Sequence, residues 1–144
     1  MELDAFDLAQ RFVGVKETPG VHSTPVVLAM LKLDDSWPID DAVPWCSAFV
    51  NSICWLMRLP RSKSLAAKSW LTVGAGIPLE SARPGYDIVV LTRNGGGHVG
   101  FYAGMSGTDH VLILGGNQHD TVSVAAFPVT QIVGVRRLTT ESHW

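Results

Sequence analysis

Cysteine is scarce in this chain. Cys46 and Cys54 are the only two among 144 residues, too few for a disulfide framework or a cysteine-rich zinc site. A dominant charge is missing as well: 11 Lys and Arg stand against 13 Asp and Glu, for a net charge of -2. With no basic run, binding to nucleic acid through phosphate neutralisation is excluded. No apolar stretch approaches the roughly 20 residues of a membrane span, so no membrane anchor is expected. The N-terminal MELDAFDLAQRFVGVKE places acids where a secretory signal carries its basic region. No Sec signal is visible, and synthesis in the cytoplasm is expected. What is present is globular: 47% hydrophobic and 17% charged residues, in a length that suits a single domain over residues 1–144.

The first half reads as helical. Phe6, Leu8, Ala9, Phe12 and Val13 fall at helical spacing over 4–16, and Pro19-Gly20 stops that run. A second helix is expected over 24–33, with Thr24 as cap and Pro25 in its first turn. The polar, Pro-interrupted stretch 34–45 is a loop. Over 46–57, Phe49, Val50, Ile53, Cys54 and Met57 make one apolar stripe, and Leu59-Pro60 ends the helix. A shorter helix is expected over 64–75, capped by Ser64.

After residue 80 the pattern changes to short segments rich in β-branched residues, at 86–92, 98–103, 110–114, 121–126 and 131–137. Turn signals separate them, including Gly115-Gly116-Asn117 and Phe127-Pro128. Strands joined by short turns predict an antiparallel sheet, and helices followed by strands predict an α+β domain.

Three residues stand out chemically. Cys46 opens the third helix, where free backbone N–H groups and the positive end of the dipole face its sulfur. An ordinary thiol has a pKa of about 8.5, and lowering it by about 1.5 units makes half of it nucleophilic at neutral pH. The alternative is a small buried hydrophobe at a helix start. Cys54 lies about 12 Å further along the same helix, too far for a disulfide, and reads as packing.

His98 begins a strand after three glycines. Alternation sets His98, Gly100 and Tyr102 on one face and Val99, Phe101 and Ala103 on the other. Gly100 is expected to admit the start of the Cys46 helix. Asn117 ends the next strand, where its amide oxygen can accept the Nδ1–H of His98 and leave Nε2 facing the thiol. Plain alternatives are a hairpin-edge histidine and a turn-forming asparagine. A zinc site from His98, His110 and His119 lacks paired-ligand spacing, and Asp34, Asp35, Asp40 and Asp41 follow no calcium loop, so no metal is expected.

The stretches Pro44-Trp45-Cys46-Ser47-Ala48-Phe49-Val50-Asn51, Gly97-His98-Val99-Gly100-Phe101-Tyr102 and Leu114-Gly115-Gly116-Asn117-Gln118 together resemble the CHAP-type cysteine peptidases and amidases of the NlpC superfamily, in particular small phage endolysins. The resemblance runs from about residue 7 to 138 and includes Gly14-Val15-Lys16-Glu17, Pro19-Gly20 and Ala66 through Trp70. It implies a papain-like fold, with N-terminal helices on a five- to six-stranded antiparallel sheet. Cys46 maps to the nucleophile, His98 to the general base and Asn117 to the orienting residue. The implied substrate is the stem peptide of peptidoglycan, cut at an amide bond by an endopeptidase or an N-acetylmuramoyl-L-alanine amidase, without a cofactor. Trp45, Gly97, Gln118 and Trp70 are expected to line the substrate groove.

The family's oxyanion-binding Gln is replaced by Asp40, whose charge would repel a developing oxyanion. The backbone N–H of Cys46 is left to serve. At Pro84-Gly85-Tyr86-Asp87 the chain also departs from the usual Gly-Asp. A monomer without a separate wall-binding module is expected, reaching the wall through a holin-made pore or a secretion machine. The rival readings are an injected antibacterial amidase, a hydrolase of a protein or small-molecule amide, and a non-catalytic binding domain that retains the fold.

Overall fold

The computed structural model describes residues 3–15, 25–33, 45–93, 96–118 and 121–139. Among the described residues, three α-helices precede the sheet: α1 (Ala5–Gln10), α2 (Pro25–Lys32) and α3 (Cys46–Met57). Six strands follow: β1 (Ala75–Gly76), β2 (Asp87–Arg93), β3 (Gly96–Ser106), β4 (His110–Gln118), β5 (Thr121–Pro128) and β6 (Ile132–Arg137). They form one antiparallel sheet in the order β1-β6-β2-β3-β4-β5. The expected α+β class and antiparallel sheet are both present.

Helix α3 has the expected bounds. It ends where Arg58 turns left-handed at φ 58°, with the Leu59 N–H returning to the Cys54 carbonyl at 2.9 Å. Helix α1 is shorter than the 4–16 periodicity suggests. Asp4 and Asp7 cap its start reciprocally, but the backbone of Gly14 and Val15 bonds to Val122 on β5. That outside pairing ends the helix. The helix expected over 64–75 is a 3-10 turn, Ala67–Thr72, and Ser64 does not cap it. Its flanks are committed elsewhere, since the Ser64 carbonyl accepts from α3 and those of Val73 and Gly74 accept from Arg136.

Three residues join β5 to β6, a reach of about 14 Å at most. Four strand spacings separate those two strands in the sheet order, roughly 19 Å if it were flat. The sheet therefore curls. Its outer face carries Ile88, Val90, Val99, Phe101 and Leu114 against the helices, with α3 lying over β3 and β4. Its inner face gathers Val89, Leu91, Tyr102, Val111, Ile113 and Val135. This agrees with the alternation expected along β3.

The glycines of β4 correct one expectation. Gly115-Gly116-Asn117 is not a turn, because β4 continues to Gln118. A Cβ on Gly116 would stand 2.7 Å from the Trp45 ring and 2.9 Å from the Phe49 Cβ. It is thus Gly116, not Gly100, that admits the start of α3. Gly100 instead faces β4, where a Cβ would meet Ile113 Cγ2.

Asp87, at the departure from the family pattern, is structural. It is buried and holds Arg137 through two bonds of 2.8 and 2.9 Å.

Candidate active site

Cys46 is the first residue of α3, and Trp45 precedes it without a side-chain cap. The first backbone N–H groups of the helix therefore have no helical acceptor. Register between β3 and β4 begins at Phe101↔Leu114, and β4 continues beyond that point paired with β5. Just before that register begins on β3, the backbone N–H of Val99 acts on the Cys46 sulfur. The nitrogen of that group is bonded to the carbonyl carbon of His98, so the sulfur lies beside the His98–Val99 peptide.

A buried polar network fixes the helix start. Ser47 donates to the Ser64 carbonyl at 2.5 Å and accepts from Trp70 Nε1 at 2.9 Å. Asn51 donates to the carbonyls of Ser47 and Ser64 and accepts from the Lys63 N–H at 3.0 Å. Ser47, Asn51 and Trp70 are at most 1% exposed. Trp70, expected in a substrate groove, is instead fully buried and holds Ser47, the residue after Cys46. Trp45 is fully buried too, wedged over Gly116, and its indole N–H finds no acceptor among the described residues. Both tryptophans belong to the core because each meets a close partner that excludes water. Gly97 gives room to the 3-10 turn, with the Ala67 Cβ 3.1 Å from where its own would be.

His98 is 1% exposed and stacks at 5.2 Å on Phe127. The residue that holds its ring is Gln118, not Asn117: Gln118 Oε1 lies 2.8 Å from His98 Nε2. The Gln118 amide nitrogen donates to the carbonyls of Ile113 at 3.1 Å and Ser123 at 2.7 Å. Those two acceptors fix which end of the amide faces the ring. Nε2 must therefore carry the proton, and Nδ1 keeps the lone pair. This is the reverse of the expected ring orientation. Asn117 adopts φ 60°, and its carbonyl accepts from Arg93 Nη1 at 3.2 Å. The left-handed residue shifts the β4–β5 register, and so the next side chain, Gln118, reaches His98. Gln118, expected to touch substrate, is buried behind the ring.

Arg93 Nη1 also lies 3.3 Å from His98 Nδ1. No side-chain hydrogen bond joins Cys46 to His98; the guanidinium holds Nδ1 instead. Burial pushes the Cys46 thiol above its usual value, opposed by the N–H groups of Val99 and Ser47 and by the charge of Arg93. The expected lowering by the helix start is outweighed. Burial also takes His98 down to about 4, against the bond to Gln118 and together with the charge of Arg93. Both groups are neutral at pH 7. Cys54 is free and buried, as expected, and burial pushes its thiol up to about 12.

Asp34, Asp35, Asp40, Asp41, His22, His119 and His143 lie outside the described residues. Among those described, no three His, Cys, Asp or Glu gather as a metal site. His110 is half-exposed and pairs with Asp109.

No protein family model and no curated protein matches the chain. Among solved structures it is similar to NlpC1 from Trichomonas vaginalis, with a TM-score of 0.58 and 17% identity over 95% of this chain and 44% of that one. The fold is NlpC-like, and the chain spans less than half the length of that neighbour.

Proposed function

We propose that the protein is a cysteine-dependent hydrolase that cleaves an amide bond of peptidoglycan. The observation that carries this reading is the Cys46 sulfur at a helix start beside the peptide of His98, whose ring is locked by Gln118 with a lone pair on Nδ1. An NlpC-like fold supports the same class of substrate.

In this mechanism Nδ1 takes the proton of Cys46 as the sulfur attacks the amide carbonyl. The oxyanion of the tetrahedral intermediate is held by backbone N–H groups at the start of α3. The C–N bond then breaks, and His98 gives its proton to the leaving amine. Water, deprotonated by His98, hydrolyses the thioester and returns the thiol. The proton on His98 Nε2 stays there throughout, donated to Gln118 Oε1. Asn117, assigned by the sequence to orient the ring, gives that role to Gln118. Delivery to the wall through a holin-made pore, as for a phage endolysin, or by a secretion machine is part of the same proposal.

The test is digestion of purified cell walls by the wild type and by Cys46→Ala, with mass spectrometry of the released muropeptides. New amino termini are expected from the wild type and none from the variant, at unchanged far-UV circular dichroism. Equal release by the two proteins removes Cys46 from the mechanism. No release by either refutes peptidoglycan as the substrate.

A further inference from the structure

Arg93 has no task in the proposed mechanism, though it touches His98. Arg93 ends β2 and faces Gly96 across the hairpin, so no side chain opposite it holds the guanidinium. Its described bonds both run from a single nitrogen, Nη1, to His98 Nδ1 at 3.3 Å and to the Asn117 carbonyl at 3.2 Å. The guanidinium carbon stands 5.9 Å from the centre of the Phe127 ring. Among the described residues, no carboxylate pairs with it. By contrast, Arg137 is gripped by Asp87.

This placement conflicts with the chemistry proposed for His98. Nδ1 cannot take the thiol proton while its lone pair accepts from Arg93. The contact is long for a nitrogen donor, and its acceptor is neutral. A carboxylate offers the same guanidinium two parallel, charge-assisted bonds, each roughly twice as strong as a neutral one. Any substrate carboxylate arriving within reach therefore outcompetes the imidazole for Arg93. Because the guanidinium touches Nδ1, the nitrogen that would serve Cys46, such a carboxylate would sit next to the base of the reaction.

We propose that Arg93 is a positioning residue that selects substrates carrying a carboxylate close to the scissile amide, the carboxylate drawing the guanidinium off Nδ1 and so releasing the base. This rests on the cysteine hydrolase reading and adds the substrate's chemical class to it. Stem peptides supply the chemistry, since their side and terminal carboxyl groups occur free or amidated.

The test compares two synthetic stem peptides that differ only by carboxylate against carboxamide nearest the cleaved bond, using the full chain. The wild type is expected to favour the carboxylate by at least tenfold in kcat/KM. In Arg93→Gln the ratio should fall to near one, and Arg93→Lys, which keeps charge but loses the fork, should lie between. Because each ratio is taken within one protein, partial unfolding of a variant cancels. A wild-type ratio near one overturns the inference while leaving the hydrolase reading intact, and so does a ratio unchanged in Arg93→Gln. Failure of the wild type to cleave either peptide refutes the hydrolase reading itself, and this inference with it.

Discussion

Replacing Gln118 by Ala is the sharpest perturbation of the site. The side chain accepts from His98 Nε2 at 2.8 Å and donates to the Ile113 carbonyl, both buried, and to the part-buried Ser123 carbonyl. Its loss leaves a buried N–H and two carbonyls without their partner. One such orphaned group costs about 1–3 kcal/mol, and carbonyls with other donors cost less. A total near 3 kcal/mol is expected, lowering Tm by roughly 10 °C in a domain of this size. The catalytic loss is separate. Without an acceptor at Nε2, nothing keeps the proton off Nδ1, and general-base catalysis typically contributes about 10²–10⁴-fold. A fall in kcat of about 10²-fold at nearly constant KM is expected below the lowered Tm. The structural intermediate is visible to NMR: ¹⁵N-coupled spectra should show His98 as the Nε2–H tautomer in the wild type, and that signature should be lost in Gln118→Ala. Asn117→Gly is the control, since glycine accepts φ 60° readily and retains the carbonyl bonded to Arg93. If Asn117→Gly abolishes cleavage while Gln118→Ala preserves it, the assignment of the ring's partner is wrong.

Burial that takes His98 down to about 4 links folding to pH. The unfolded histidine binds its proton near pH 6.5, above the folded value, so stability is complete above 6.5 and declines as pH falls toward 4. The loss is on the order of 3 kcal/mol; urea melts across that window should show it, and they should show a shallower slope for His98→Gln. Gly116→Ala tests the docking of α3: its Cβ would stand 2.7 Å from the Trp45 ring, an overpacking that costs roughly 1–3 kcal/mol, read as a lower denaturation midpoint.

Helix α3 and the five longer strands were legible because their signals are local, an apolar stripe in one and alternation in the others. The placement of Cys46 at the start of α3 and of His98 near the start of β3 was legible for the same reason, each lying near the end of a strongly patterned element. What escaped was decided by distant partners. The helix expected over 64–75 lost its flanks to Asn51 and Arg136, and α1 lost its last turn to pairing with β5. Asn117 and Gln118 are adjacent, and spacing alone does not say which faces a histidine 20 residues away. That was settled by one left-handed residue. Gly-Gly-Asn reads as a turn signal in sequence, and the two glycines answer instead to close packing, with Gly116 against Trp45 and Gly115 against Gln118. The tryptophans misled because a large aromatic beside a nucleophile looks the same in sequence whether it faces substrate or core.

The charge state of the site follows from comparing two magnitudes. A helix start stabilises an anion by about 0.3–1 kcal/mol, and by at most about 2 kcal/mol when partly buried. Full burial shifts an ionisable group by as much as 3–5 units, each worth about 1.36 kcal/mol. For Cys46 the second effect wins, and for His98 the same burial removes the imidazolium that would have stabilised a thiolate. A pre-formed ion pair is thus not how this site is activated. In the proposed mechanism proton transfer accompanies attack, and the electrostatic help comes from groups already in place: the N–H groups of α3 and Val99, and the charge of Arg93. On the proposal for Arg93, control of reactivity then lies in what draws the guanidinium off Nδ1, and alkylation of Cys46 by iodoacetamide at pH 7 should be slow in the free protein.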